Sequence, residues 1–497
     1  ITLDTLASTG NVILTTAGTT GHATIDNTTT ALGVQGTVNG NLALTSGGAI
    51  TDSSTLTVSG TTTATTDVNN KAITLDGLVS TGNVILSTMG TTGHATIDNT
   101  TTDLGVQGTV NGNLALTSGG VITDSAVLTV SGTTTATTDV NDKAITLDGL
   151  VSTGNVILTT AGTTGHATID NTTTALGVQG TVNGNLALTS GEAITDSAAL
   201  TVSGTTTATT DVNDKAITLD TLASTGNVIL TTAGTAGHVT IDNTTTALNA
   251  QGTVNGNLAL TSGGAITDSN TLTVTGTTTV TTDVNNKAIT LGTLASTGAV
   301  ILATQGTTGH VTVLNATGLA LQGTAAGNLS ATATTGDISD SGALTVTGTS
   351  AFITAADGSN IILDHASNAF TGQVSLKADT GGNENFGNIT FIDDSAVKLD
   401  ANADAAGDLF IDAATDGAVG GNLVVTATTG NITQGVALAV TGTSTLTTAA
   451  TDATITLGSA NALGGNVILT TAGTAGHATI DNGTTALGVQ GTVNGNL

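Results

Sequence analysis

The chain has 497 residues, 67 of them Gly, and a formal net charge of −29 that comes from 35 acidic residues against six Lys and no Arg. Such an acidic chain repels phosphate and anionic lipid, so nucleic acid is excluded as a partner, and no run of about 18 apolar residues supports membrane insertion. Cys and Pro are absent while apolar residues make up 38%, which excludes disulfides, thiolate metal sites and a disordered chain.

The sequence repeats itself from its first segment, ITLD, at a regular interval of about 72 residues, which indicates a repeat architecture. The interval holds through Ile361, and the next copy then begins only at Ile455. We therefore predict one continuous solenoid in three stretches: five regular repeats over 1–360, a diverged repeat with one extra coil over 361–454, and a partial regular repeat over 455–497. The copies begin at Ile1, Ile73, Ile145, Ile217, Ile289, Ile361 and Ile455.

Within each repeat, short alternating runs follow one another between Gly, Asn, Asp and Ser. NLALTS places Leu42 and Leu44 on one face, and TLTVSG does the same with Leu56 and Val58. Helical repeats would need apolar residues at a helical period, which these runs lack. A period of this length combined with short strands predicts an all-β fold, a parallel β-helix or β-solenoid, over the whole chain.

The longer interval from Ile361 to Ile455 suggests the size of a single coil. A solenoid tolerates insertion of a whole coil, because later coils keep their phase, so the surplus predicts coils of about 22 residues. The repeat then divides into three coils of unequal length, over 40–60, 61–81 and 82–111. Four equal coils of about 18 residues each remain open as an alternative. About 21 coils stacked at about 4.8 Å would form a rod of roughly 100 Å.

The stretch GNLVVTATTGNITQGVALAVTGTSTLTTAATDATITL, at 421–457, combines Gly-Asn openings, Thr-rich alternation and coils of roughly 20 residues. In this style it resembles the repeats of large bacterial exoproteins of the filamentous haemagglutinin type, and the resemblance covers nearly the whole chain. It implies a secreted, right-handed parallel β-helix at the bacterial cell surface, acting as an adhesin.

Histidines recur at one position of the repeat, which raises the question of a metal site. Equivalent residues would lie about three coils apart, roughly 14 Å, too far to share one ion. We interpret the series as structural or solvated corner residues; only His365 stands outside it. Its members are His22, His94, His166, His238, His310 and His477.

One region differs from the rest, because all five Phe lie between Phe352 and Phe410. Beside them, aspartates recur at every fourth residue. On coil corners these would form an oxygen-rich edge suited to Ca²⁺, the only cofactor that the sequence suggests. The alternative is a solvated turn region in which Phe replaces Leu in the core. The calcium candidates are Asp400, Asp404, Asp408, Asp412 and Asp416.

The leading functional hypothesis is a structural one: a segment of a long extracellular or cell-surface β-solenoid, the shaft of a fibre or adhesin. Because its carboxylates and histidines are repeat members without a unique pair, we expect no enzymatic activity. The alternatives are a calcium-dependent adhesion module, a polysaccharide-acting enzyme and an ice-binding face at TTTATT (61–66). Expected partners are the chain itself, end to end or within a longer chain, cell-surface glycans and neighbouring fibres. Since both ends show core-type sequence, we expect an interior stretch of a longer rod.

Overall fold

A computed structural model describes residues 1–244, 246–378, 387–400, 408–411, 419 and 421–497. These residues form β-strands, turns and bends, and no helix occurs among them. The chain divides into two compact units, Ile1–Leu248 and Asn249–Leu497. Each unit is a stack of parallel strands, so the prediction of an all-β parallel β-solenoid is confirmed.

The strands of the first unit are short and alternate buried with more exposed positions. They are β1 (Thr2–Leu6), β2 (Asn11–Thr15), β3 (Ala23–Asn27), β4 (Leu32–Val38), β5 (Leu42–Ser46), β6 (Ile50–Val58), β7 (Thr62–Thr66), β8 (Ile73–Ser80), β9 (Val84–Ser87), β10 (Ala95–Asn99), β11 (Leu104–Val110), β12 (Leu114–Ser118), β13 (Ile122–Val130), β14 (Thr134–Thr138), β15 (Ile145–Ser152), β16 (Val156–Thr160), β17 (Ala167–Asn171), β18 (Leu176–Val182), β19 (Leu186–Ser190), β20 (Ile194–Val202), β21 (Thr206–Thr210), β22 (Ile217–Ser224), β23 (Asn227–Thr232) and β24 (Val239–Asn243).

The second unit continues in the same manner, with shorter strands after residue 360. Its strands are β25 (Leu248–Val254), β26 (Leu258–Ser262), β27 (Ile266–Asp268), β28 (Leu272–Val274), β29 (Thr278–Thr282), β30 (Ile289–Ser296), β31 (Val300–Ala303), β32 (Val311–Asn315), β33 (Leu319–Ala325), β34 (Leu329–Ala333), β35 (Ile338–Val346), β36 (Ser350–Thr354), β37 (Ile361–Leu363), β38 (Ala369–Phe370), β39 (Val374–Ala378), β40 (Ile389–Asp393), β41 (Val397–Asp400), β42 (Asp408–Ile411), β43 (Leu423–Ala427), β44 (Ile432–Gln434), β45 (Ala439–Val440), β46 (Ser444–Thr451), β47 (Ile455–Leu457), β48 (Ala462–Leu463), β49 (Asn466–Ala472), β50 (Ala478–Ile480) and β51 (Gly488–Thr492).

In the first unit the strands pair in two series, odd with odd and even with even, so one coil consists of one strand from each of two parallel sheets. Leu32 of β4 pairs with Ile50 of β6, and Ile50 pairs in turn with Ile73 of β8. The second of these steps spans more residues than the first. The coil length therefore varies around the predicted value, according to the corners that close each coil.

The division of the repeat into three coils is wrong. Each regular repeat holds seven strand positions, and two strands make a coil, so one repeat forms three and a half coils. β8, which begins at Ile73, pairs with the even strands β6 and β10, whereas β15, which begins at Ile145, pairs with the odd strands β13 and β17. Equivalent positions of successive repeats therefore lie on opposite sheets.

The second unit shows the same alternation between its two sheets. β30, which begins at Ile289, pairs with β28 and β32, whereas β37, which begins at Ile361, belongs to the other sheet and pairs with β35 and β40. A half-coil offset is tolerated because either sheet offers the next strand an inward apolar face and a parallel edge of the same kind. Equivalent side chains of successive repeats consequently lie on opposite sheets of the coil stack.

The interior consists of alternate strand residues that are almost fully buried. In β12, Leu114 and Leu116 are 1% exposed, and Ser118, the third inward residue, is fully buried. The same parity buries Ala136 of β14 between two Thr residues. Each coil thus contributes a few aliphatic side chains near its middle, with small polar residues at the corners, and stacking makes the apolar interior continuous within each unit.

The diverged stretch contains a stack of aromatic rings within its core. The rings of Phe352 and Phe370 meet edge-on at a centroid distance of 5.9 Å, and those of Phe370 and Phe391 lie 5.4 Å apart. All three side chains are buried. For these three residues the interpretation that Phe replaces Leu in the core is confirmed. The extra coil predicted for 361–454 stays a prediction, because that stretch contains residues outside the described ranges.

Candidate functional site

The predicted calcium edge falls largely outside the described residues. Asp404, Asp412 and Asp416 lie outside them, and Asp400 and Asp408 are placed only as backbone positions, at the end of β41 and the start of β42. These two strands pair in parallel, with Lys398 opposite Asp408. No group of three or more His, Asp or Glu residues that could hold a metal ion occurs among the described residues. The calcium site stays a prediction.

The histidine series lies at exposed coil corners just before a strand. His166 precedes β17, and its Nδ1 accepts a hydrogen bond of 2.8 Å from the backbone N–H of Asn185 in the next coil. His22, His94 and His477 make the same bond at the same distance. Since the repeat is three and a half coils long, equivalent histidines are separated by roughly 17 Å along a stack and lie on opposite sheets. The interpretation of the series as structural corner residues is confirmed by these bonds.

A buried asparagine closes the corner after each ATIDN strand. Asn171 is fully buried; its Oδ1 accepts from the Ser152 backbone N–H at 2.8 Å and its Nδ2 donates to the Ser152 carbonyl at 3.0 Å. The same Nδ2 also donates to the carbonyls of Thr174 and Ala175. One side chain therefore satisfies backbone groups on both sides of the corner. Our sequence reasoning missed this role, although Asn171 shares its parity with the inward Ala167 and Ile169.

A second polar corner occurs at the DVNDK and DVNNK turns. Asp142 has a φ of 64°, and its Oδ1 accepts hydrogen bonds of 2.8 Å from the backbone N–H groups of Thr163 and Thr164 in the next coil. These donors lower the pKa of the Asp142 carboxyl. Asn70 adopts the same left-handed conformation in an earlier repeat and accepts the same two bonds through its amide oxygen.

We expect Asp142→Asn to leave the thermal midpoint nearly unchanged at neutral pH, because Asn70 performs the same task. Asp142→Ala should lower the midpoint, because Ala loses both acceptor bonds and disfavours a positive φ. The lowered pKa means that the wild-type carboxylate stabilises the fold above its ordinary pKa of 3.8 and loses that contribution as the pH falls further. Thermal melts of the three proteins would measure both effects. Equal melting of the Ala and Asn variants would contradict this role for the side chain.

A third set consists of aspartates that face inward at a β-bulge. Asp52, only 9% exposed, accepts hydrogen bonds from the backbone N–H groups of Asp76 at 3.0 Å and Gly77 at 2.9 Å, both in β8 of the next coil. Burial raises the pKa of Asp52 to about 6, against the effect of the two N–H donors and with the help of the nearby Asp76 carboxyl. Equivalent bonds join Asp124 to the Asp148 and Gly149 N–H groups.

The outward face carries a file of hydroxyl side chains. The pairing places Thr residues of five successive coils at one register position, although TTTATT itself returns only once per repeat. The neighbouring outward positions include Ala115, Ile157 and Gln179. A single file does not supply the two-dimensional Thr array that an ice-binding face needs. Its members are Thr117, Thr137, Thr159, Thr181 and Thr201.

These side chains share one chemical task, since the histidines, asparagines and aspartates above all bind backbone groups of a neighbouring coil or corner. No helix among the described residues is long and apolar enough to cross a membrane.

The comparisons with known proteins point to a repeat family. The family model described as "Repeats of unknown function (DUF5649)" matches residues 20–87, 92–161, 164–232, 236–307, 308–377 and 387–470. No curated protein and no solved structure matches the chain significantly.

Proposed function

Because the chain belongs to this family of repeats of unknown function, we propose that it is a structural β-solenoid segment of an extracellular filament, the shaft of a bacterial surface fibre or adhesin. The observation that carries the proposal is that the repeated polar side chains form hydrogen bonds with the chain's own backbone. Asn171, His166 and Asp142 each satisfy backbone groups of the chain itself. Duplicating a repeat therefore extends the stack and supplies its own corner bonds.

The surface chemistry supports a location outside the cell. Six Lys and no Arg in the whole chain leave proteases of the trypsin type few peptide bonds to cleave. The described strands also pair in parallel with strands of neighbouring coils, which leaves little unpaired extended chain for any protease to bind. A net charge of −29 keeps neighbouring filaments apart and soluble. In this proposal the partners are further copies or further repeats, stacked end to end, and cell-surface glycans.

Electron microscopy of the native material tests the proposal. We expect thin, unbranched filaments, labelled along their length by an antibody against the HATIDNTTTALGVQG segment, whose close copies occur throughout the chain. Regular labelling of filaments on the cell surface would support the shaft role. Labelled compact particles of uniform size, or labelling confined to the cell interior, would refute it.

The calcium-dependent adhesion module stays the alternative based on the sequence, since the aspartates that motivate it lie mostly outside the described residues.

A further inference from the structure

Three short rows of carboxylates cross neighbouring coils of the first unit. The first row is Asp52 of β6, Asp76 of β8 and Asp98 of β10, where β6, β8 and β10 pair successively. The second, Asp124–Asp148–Asp170, crosses the other sheet, and the third row contains Asp196 and Asp220. We refer to these sets as carboxylate rows.

Within the first row an inward-facing carboxyl lies beside an exposed one, since Asp52 is only 9% exposed whereas Asp76 faces solvent. Both oxygens of Asp52 accept backbone hydrogen bonds from the coil that carries Asp76. The Asp76 carboxyl lies within hydrogen-bonding reach of Asp52. Its negative charge, like that of Asp139, also helps to raise the pKa of Asp98, which burial raises most. One oxygen of Asp98 is buried without a hydrogen-bond partner. On the opposite side of Asp52, β4 contributes the uncharged Val34.

The second row repeats these relations. Asp124 is flanked by Asp148, which lies within hydrogen-bonding reach. The charges of Asp211 and Asp148 add to burial in raising the pKa of Asp170. β11 places Val106 opposite Asp124. No cationic side chain is among the groups that shift the pKa values of Asp52, Asp98, Asp124 or Asp170, so backbone N–H groups rather than cations stabilise the charged forms of Asp52 and Asp124.

We propose that the carboxylate rows are a built-in acid response, in which each row takes up protons as the surroundings acidify and then holds its coils together more tightly. A protonated carboxyl donates a hydrogen bond to its neighbour, so two repelling carboxylates become a bonded pair. The backbone bonds to Asp52 survive, because a protonated carboxyl keeps acceptor capacity.

The sign of the effect follows from linkage. The pKa of Asp52 is about 6 in the folded chain against 3.8 as its ordinary value, and Asp124 behaves alike. At pH values between these two pKa values, the folded chain binds more protons than the unfolded chain. The stability of the fold therefore rises as the pH falls through about 6, and it levels off below about pH 4. Ordinary acid denaturation has the opposite sign in this range.

The chain itself contains a row without its central acid. Asp268 is the counterpart of Asp52, but the residue facing it is Gly292, whose N–H binds the carboxylate together with that of Thr293. Burial still raises the pKa of Asp268, and no acidic neighbour contributes. The backbone bonds of the row therefore do not require the central carboxylate, so it can be neutralised without removing them.

The test uses the full chain and compares thermal midpoints at pH 7.5 and 5.0, followed by far-ultraviolet circular dichroism. The test variant combines Asp76→Asn, Asp148→Asn and Asp220→Asn, which remove the central charge of each row. The control variant combines Asp103→Asn, Asp337→Asn and Asp481→Asn, which remove three exposed carboxylates from outside the rows. Both variants have the same net charge, so general repulsion falls equally in the two.

We expect the wild type and the control variant to melt at a higher temperature at pH 5.0 than at pH 7.5. The row variant should melt above the wild type at pH 7.5 and gain less than the control variant on acidification, because burial alone still raises the pKa of the remaining inward acid, as it does for Asp268. If the row variant gains as much as the control variant, or if the wild type melts lower at pH 5.0, the proposal is wrong.

Discussion

Gly180→Ala is expected to destabilise the first unit by about 2–6 kcal/mol, because two penalties act at one position. Gly180 has a φ of 117°, a conformation that costs other residues about 1–3 kcal/mol. A Cβ added there would overlap the carbonyl oxygen of Leu158 in the preceding coil, and overpacking against backbone costs a further 1–3 kcal/mol or so. Gly180 lies where β18 changes its register against β20, so neither strand can shift to make room.

Gly149→Thr is the matched control for this substitution. A Cβ at Gly149 would have its nearest neighbour, an Asp124 oxygen, 3.6 Å away, and the φ of Gly149 is not positive. Thr221 and Thr293 already occupy the equivalent position in later repeats. Urea unfolding should therefore show a large fall in stability for Gly180→Ala and little change for Gly149→Thr. Similar unfolding curves for the two variants would show that the bulge at Gly180 is not rigid.

Asn171→Ala is expected to cost at least about 2 kcal/mol, because it removes the side-chain partners of the Ser152 N–H and the Ala175 carbonyl, and an unsatisfied buried group costs about 1–3 kcal/mol. The other two carbonyls that Asn171 binds keep a second donor, since Thr174 Oγ1 donates to Ser152 and Ser190 Oγ to Thr174. Asn171→Asp keeps the size and the acceptor for the Ser152 N–H but places an oxygen against three carbonyls. We expect it to be no more stable than the Ala variant, which would assign the effect to the lost donors rather than to lost volume.

Amide hydrogen exchange provides the measurement, because it locates a loss of stability strand by strand in a stack of coils that can open locally. Protection should fall in β15, β17 and β18, which the Asn171 corner joins, and persist in strands several coils away. The control is Asn185→Ala, which removes one bond from the Thr205 N–H at an exposed corner. Loss of protection spread evenly over the unit would contradict a local corner role.

Both substitutions address the same physical question, which is how a long stack of coils turns its corners without Pro, Cys or a large core. Each coil buries few aliphatic side chains, so its corners contribute heavily to order. Asn171, Asp142 and Gly180 have three different roles at the corners. Asn171 pairs with buried backbone groups, Asp142 supplies a hydrogen-bond acceptor from a left-handed position, and Gly180 leaves room for a β-bulge. Because each of the first four repeats carries counterparts of these residues, damage in one repeat should stay local.

Much of the architecture could be predicted from local patterns. The alternation in NLALTS and TLTVSG identified strands and their inward faces, and Leu42, Leu44, Leu56 and Val58 are indeed buried. The same parity places Asp52 inward, since it follows Ile50 at the next inward position, but a buried acid conflicts with its solvation and the sequence analysis treated it only as one of the repeated carboxylates. The acceptor bonds that permit its burial come from Asp76 and Gly77 in the next coil, and no local pattern reports them.

By itself the sequence determined the fold class, the repeat interval and the inward residues, because side-chain parity within a strand is a local property. Only the tertiary structure decided the phase of the coils. A corner such as that at Asn27 or Gly60 could complete half a coil or a whole coil. Which of the two it completes depends on the strand that lies beneath the following strand, and hydrogen bonds between residues of different coils decide it. Because the two sheets have similar inward faces, either of them can accept the next strand without a local conflict. The three-and-a-half-coil repeat, with equivalent residues on opposite sheets, therefore emerged only once every strand was paired.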